Sequence, residues 1–205
     1  MQITRLRLEN WRNFRAVELR LGSRLFLLGP NAAGKSNLLD ALLFLRDVAA
    51  GSLQAAVSAP RRGGMAGLRC LFHPAPAPVT IEIETAGADG EWRYRLTLAG
   101  RADGRPVVTR ETVWRLGGAD PAPLLDRPSP AEAADAEALL QTHLEQSSAN
   151  RPFRALAEGL RSLRALPPAT SPGDLAAAIG AAPPAIRAGR LTQMQAVLRL
   201  ALPQL

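Results

Sequence analysis

Lysine occurs once in the 205 residues, at Lys35, although Lys and Arg together number 25. It lies within Gly29-Pro30-Asn31-Ala32-Ala33-Gly34-Lys35-Ser36. A chain that uses arginine almost everywhere keeps lysine where a compact ammonium on a flexible stem is wanted and a planar fork is too bulky. The octapeptide fits G-x-x-x-x-G-K-[ST], the pattern of a phosphate-binding loop. In such a loop successive backbone N–H groups wrap an anion, and the next helix adds its free N–H groups and positive dipole end. Gly29 and Gly34 supply unusual dihedrals. Lys35 is placed to bridge the β- and γ-phosphates, and the Ser36 hydroxyl to ligate Mg²⁺. The cofactors this predicts are a nucleotide and Mg²⁺, with Gly29 to Asn37 as their cradle.

That chemistry needs a strand before the loop and a helix after it, and the pattern offers both. Leu25-Phe26-Leu27-Leu28, between Gly22 and Gly29, reads as a short strand at 23–28 buried on both faces. Asn37 to Val48 reads as a helix with most of its circumference apolar. Upstream, Gln2 to Glu9 and Arg15 to Leu21 read as antiparallel strands, the second alternating Val17, Leu19 and Leu21 with Glu18 and Arg20. Residues 50–67 read as a loop or broken helix around Arg61-Arg62-Gly63-Gly64. A β meander follows: Val79, Ile81 and Ile83, then a turn at Gly87 to Gly90, then Trp92, Tyr94, Leu96 and Leu98, then Val107 to Trp114. Residues 117–130, rich in Pro, Gly and Asp, read as a linker. Helices are expected at roughly 131–146, 152–165, 173–180 and 184–202.

The domain reading is a nucleotide-binding lobe at 1–116, with the phosphate loop at 29–36 and the meander at 68–116. A linker at 117–130 and a helical subdomain at 131–205 complete it. The apolar, proline-containing end Leu202-Pro203-Gln204-Leu205 reads as interrupted, with a second lobe expected beyond it.

Composition narrows the class. No apolar run approaches the roughly 20 residues of a membrane span, and the start lacks a secretory h-region, so a cytoplasmic protein is expected. Cys70 is alone, which leaves no internal disulfide and no cysteine-based zinc site. His73 and His143 read as surface residues. The net charge of +7 suits a polyanionic partner such as DNA. It suits equally a composition that favours arginine, because the arginines are scattered and form no block. Aromatic residues at 4% argue against a base-stacking platform.

Leu6-x-Leu8-x-Asn10-Trp11-Arg12-Asn13-Phe14, followed by Gly29 to Ser36 and Asn37-Leu38-Leu39-Asp40-Ala41-Leu42, resembles the N-terminal lobe of RecF/SMC-type ABC ATPases and their bacterial AAA-type relatives. The tracts 61–64, 108–114 and 190–205 are similar too. The resemblance implies an α/β, P-loop NTPase fold with an ABC-ATPase-like mixed sheet, an antiparallel β subdomain and a helical subdomain. By position it implies Asn31 beside the γ-phosphate, and Arg12 and Asn13 near the ribose or phosphates. It implies a glutamine reaching Mg²⁺ and the attacking water; Gln141 matches best and Gln146 is the other candidate. Ala32 stands where the ABC pattern more often has glycine. The Asp-Glu strand that polarises water and the Leu-Ser-Gly-Gly-type signature have no match in this chain; in the family both belong to the second lobe.

The implied function is an ATP-binding head that dimerises through nucleotide and couples hydrolysis to conformational change, in DNA maintenance or phage defence. Hydrolysis then awaits a second lobe, in cis or in trans. The other reading is a nucleotide-binding module that does not hydrolyse and acts through a partner protein. A nuclease gated by the ATPase would have to carry its metal cluster on another polypeptide or segment. A small-molecule kinase fits less well, since an antiparallel strand pair precedes the loop.

Overall fold

The structure, a computed structural model, describes residues 1–73, 77–117 and 122–165. Residues 1–163 form one compact unit, and 164–205 form a second, of which only residues 164 and 165 are described. The helices expected at 173–180 and 184–202 lie outside the described residues, as does the tract 190–205.

Six strands make one sheet: β1 (Gln2–Trp11), β2 (Phe14–Arg20), β3 (Val79–Ala86), β4 (Glu91–Gly100), β5 (Pro106–Leu116) and β6 (Pro123–Arg127). They run in the order β2-β1-β3-β4-β5-β6, and every neighbouring pair is antiparallel. Alternation decides the two faces. Leu6 and Leu8 of β1 stand opposite Ile83 and Ile81 of β3, which stand opposite Tyr94 and Leu96 of β4, and all six are buried. The other face carries Arg5, Arg7, Glu82, Glu84, Arg93 and Arg95. There Arg5 pairs with Glu18, Glu82 and Glu84, Arg93 with Glu84, and Arg95 with Glu82.

The apolar face is covered by helices. The longest is α1 (Lys35–Ala50), which buries Leu38, Ala41, Phe44, Leu45 and Val48 at helical spacing. Gly51 ends it, its N–H donating to the Asp47 carbonyl. Two short helices, α2 (Leu53–Ser58) and α3 (Gly64–Leu68), flank the Arg61-Arg62 turn, so the expected broken helix is present. The Ser52 hydroxyl caps α2 by accepting from the Ala55 N–H. Then come α4 (Pro130–Ala134), opened by a capping box between Ser129 and Glu132, and α5 (Arg154–Arg161), which buries Leu156, Ala157 and Leu160.

The fold class is the α/β class expected, a P-loop NTPase-like arrangement, but three elements differ in detail. Residues 23–28 form no strand. Phe26 is 76% and Leu28 92% exposed, while Leu27 packs against the core. A strand buried on both faces needs hydrogen-bonding neighbours on both edges, and β2 beside this segment pairs with β1 instead. Inside the stretch expected as a linker, Pro123–Arg127 pairs with β5 as β6. The helix expected at 131–146 shrinks to α4 and a single 3₁₀ turn at Ala138–Leu140.

Glu111 explains that last change. This buried carboxylate lies on the apolar face of β5 and takes donors from four groups. They are the Tyr94 hydroxyl at 2.9 Å, Arg127 Nη1 at 3.2 Å, and the N–H groups of His143 and Leu144 at 2.8 and 3.1 Å. Those two N–H groups would be spent inside a continuous helix. Burial and the nearby Glu111 charge push the Tyr94 phenol well above its usual pKa, so it stays a neutral donor. Glu111→Ala strands a buried guanidinium, a phenol and two N–H groups together. We expect it to lower the unfolding free energy by about 3–5 kcal/mol in urea titrations. A loss under about 1 kcal/mol would mean that water replaces the carboxylate there.

Candidate phosphate site

The loop at 29–36 turns through three residues with positive φ: Gly29 at 155°, Ala32 at 65° and Gly34 at 95°. Gly34 is the N-cap of α1, in the left-handed region, and has no side chain to cap the helix. The Leu38 N–H donates to the Gly34 carbonyl at 3.0 Å as the helix begins. The N–H groups of Lys35, Ser36 and Asn37 therefore lie ahead of the first intrahelical bond. The first turn holds no acidic residue, so nothing there competes for the positive end of the dipole.

Lys35 bends back over the loop. Its Nζ donates to the carbonyls of Gly29 at 2.8 Å and Pro30 at 2.7 Å. Two neutral carbonyls are weak partners for an ammonium compared with a phosphate oxygen. Asn31, Ala32, Ala33 and Ser36 are exposed around it, and Gly34 is buried beneath. Uncapped N–H groups, a lone ammonium and an exposed hydroxyl form a donor set that fits the phosphates of a magnesium nucleotide. Ser36 is the side chain of this loop that could take Mg²⁺. Among the described residues no cluster of three or more His, Cys, Asp or Glu could hold a metal alone.

The structure brings Asn13 against Gly34 and Asn37, and seats Arg12 on α1 beyond the loop. The Asn13 carbonyl oxygen Oδ1 accepts from Asn37 Nδ2 at 2.8 Å. Arg12, at φ 51°, donates to Asp40 Oδ2 from Nε and Nη2, at 3.2 and 2.7 Å, and to the Arg61 carbonyl at 3.1 Å. Its guanidinium is thus committed to α1. Both residues line an open pocket of about 250 Å³ together with Asn37, Arg69, Leu71 and Phe72. Gln141 is exposed; its Oε1 accepts from Gln146 Nε2, and its backbone carbonyl accepts from Arg127, which ties its segment to β6.

Pattern reading passed over the acidic partners of Arg61 and Arg62. Asp40 and Asp47 lie seven residues apart, two turns along one face of α1. Arg62, whose side chain is fully buried, donates to Asp40 Oδ1 at 2.9 Å and Asp47 Oδ2 at 2.8 Å. Arg61 bridges the same pair from outside. Burial alone would raise the Asp47 pKa, but hydrogen bonds from Arg46 and Arg62 hold it below the usual carboxylate value. The signal was present: acids at i and i+7 on the phosphate-loop helix, and an Arg-Arg pair in the next turn.

The domain family described as "AAA domain, putative AbiEii toxin, Type IV TA system" matches residues 25–168, the phosphate loop included. The chain belongs to this family. No curated protein matches it. A solved structure from work on the structural biochemistry of ATP-driven dimerization and DNA-stimulated activation of SMC ATPases aligns with 79% of this chain and 100% of its own, at 20% identity and a TM-score of 0.42. The AAA domain match begins at Leu25, so the β1–β2 hairpin stands outside it.

In this AAA domain Ala32 occupies a left-handed conformation that costs an alanine roughly 1–2 kcal/mol and a glycine nothing comparable. Glycine also widens the unfolded ensemble, which offsets part of the gain. We expect Ala32→Gly to stabilise the domain by about 0.5–1 kcal/mol, read as a rise of about 1–4 °C in Tm. A lower Tm would show that the loop carries no strain at Ala32.

Proposed function

We propose that this chain is the ATP-binding N-terminal lobe of a RecF/SMC-like ATPase. The observation that carries the reading is the uncapped start of α1 with Lys35 folded over the loop in front of it. Membership of the AAA domain family supports it. Phosphoryl transfer asks mostly for positioning and charge neutralisation, and bound Mg²⁺ would supply part of the latter. The chain's own part is to orient: backbone N–H groups would receive the phosphates, Lys35 would bridge the terminal pair, and Ser36 would hold the ion. Gly29 to Asn37 make up the binding set, with Asn13 packed behind Gly34 and Arg12 held on α1.

The carboxylate that activates water comes from elsewhere. Asp40, the acid nearest the loop on α1, is taken by Arg12, Arg61 and Arg62. Exposed Leu25, Phe26 and Leu28, beside the loop, support a second lobe docking there and completing the sheet. Heads completed in this way would dimerise across two nucleotides, in the cytoplasm, in DNA maintenance or phage defence. No helix among the described residues is long and apolar enough to cross a membrane.

Calorimetric titration with Mg-ATP tests the core of this reading. Wild-type chain should bind, and Lys35→Ala should lose at least about tenfold in affinity, since a charge-assisted contact contributes that much or more. Phosphate release should stay at background until a polypeptide bearing the acidic strand is added. Equal binding by both proteins would sink the assignment. Release by the chain alone would place the catalytic carboxylate within it.

The DNA partner rests on the net charge of +7 and the resemblance. We expect duplex DNA to bind at low salt and to weaken steeply as salt rises. Affinity independent of salt, or none at low salt, would remove DNA from the list of partners.

A further inference from the structure

Trp11, at the end of β1, and the two turn residues that follow hold the first two turns of α1 at Asn37 and Asp40. Trp11, buried in the core, donates from Nε1 to the Asn37 carbonyl at 2.7 Å. Arg12 binds Asp40. Asn13 accepts from the Asn37 side chain. The side of Gly34 on which a side chain would project is filled by the Asn13 amide: a Cβ there would collide with Asn13 Nδ2 and lie 2.9 Å from Oδ1. Gly34 is buried at φ 95°, a conformation that needs the absence of a side chain and some restraint to keep it.

We propose that Asn13 is a positioning residue for the phosphate loop. It packs on Gly34, is locked by Asn37, and so fixes the left-handed turn from which Lys35 and the first N–H groups of α1 take their aim. Asn37 is itself pinned by Trp11, so the restraint leads back to the core of the sheet. A donor set misaimed by an ångström loses much of its value, which is why a supporting residue of this kind matters. The inference rests on the nucleotide reading above, but it concerns the shape of the loop and can be read without nucleotide.

The experiment uses the full chain as wild type, Asn13→Ala, Asn37→Ala, the double variant and Lys35→Ala. Mg-ATP calorimetry, thermal melting and amide hydrogen exchange are read on each. Asn13→Ala should weaken Mg-ATP about tenfold, the equivalent of one hydrogen bond. Its Tm should stay within a few degrees of wild type, and exchange should quicken at residues 34–38 while β3 and β4 are unchanged. The double variant should bind no more weakly than the worse single one, because both changes break the same contact. Additive losses, or wild-type affinity and exchange in Asn13→Ala, would overturn the proposal. If Asn13→Ala melts far below wild type, Asn37→Ala opens the same contact from the other side and decides the matter. If Lys35→Ala binds like wild type, the nucleotide reading fails. Exchange at 34–38 then still reports whether Asn13 holds the loop.

Discussion

The contact on which the rest of the site depends is the seating of the β1–β2 turn against the start of α1. A phosphate loop is a stretch of backbone with few contacts of its own, and left-handed residues give it no intrinsic stiffness. Here the stiffness is borrowed. Trp11 comes from the buried end of β1, stacks its ring 5.5 Å from Phe44, and hydrogen-bonds the backbone of Asn37. The sheet thus sets where α1 begins, and α1 sets where the anion-binding N–H groups point. Asn10 fixes the other side of the turn, its side chain donating to the Pro78 carbonyl and accepting from the Cys70 N–H. Asn10 and Arg12 are both held at positive φ. Such conformations persist where the surroundings over-determine them.

Charge is distributed so that it supports this seating without crowding the loop. Asp40 and Asp47 sit on the flank of α1 facing the 61–62 turn, and arginines enclose them. Arg62 also lies over the Phe44 ring, its guanidinium carbon 5.1 Å from the centroid. A fully buried guanidinium is tolerated only because two carboxylates and the Ala56 carbonyl accept its donors. The outer face of the sheet follows the same rule, with arginines and glutamates interleaved across β1, β3 and β4. Basic charge on these surfaces is therefore largely matched. The phosphate loop differs, with a single ammonium resting on carbonyl dipoles and no acid in the first helical turn.

Much of this was legible in the sequence because it is written in local pattern. The alternation of β1 to β4 predicts the β1–β2 pair and the β3–β4 pair, though not the β1–β3 pairing that joins them, and the eight-residue loop followed by leucines predicts α1. What was not legible depends on contacts distant in sequence. Glu111 reads as one polar residue in a strand, yet together with Tyr94 and Arg127 it holds residues 141–145 out of a helix. The resemblance puts Arg12 and Asn13 beside the nucleotide. Their observed partners, Asp40 and Asn37, lie 28 and 24 residues away, and no periodicity links them.

The segment at 23–28 shows why an apolar run alone does not make a strand. Strand formation depends on hydrogen-bonded neighbours as much as on side chains. With none on either edge, four apolar residues remain coil, and Leu27 alone packs inward. The phosphate loop is thereby held unequally. Its helix side is fixed by Asn13, Asn37 and Trp11. Its strand side ends in Gly29 and Pro30, whose carbonyls are engaged by Lys35. An anion entering the loop draws Lys35 off those carbonyls, because a phosphate oxygen is the stronger acceptor. That frees the end of the 23–28 segment. If a second lobe completes the sheet at this segment, filling the site and completing the sheet act on the same few backbone groups, and their free energies are coupled through them.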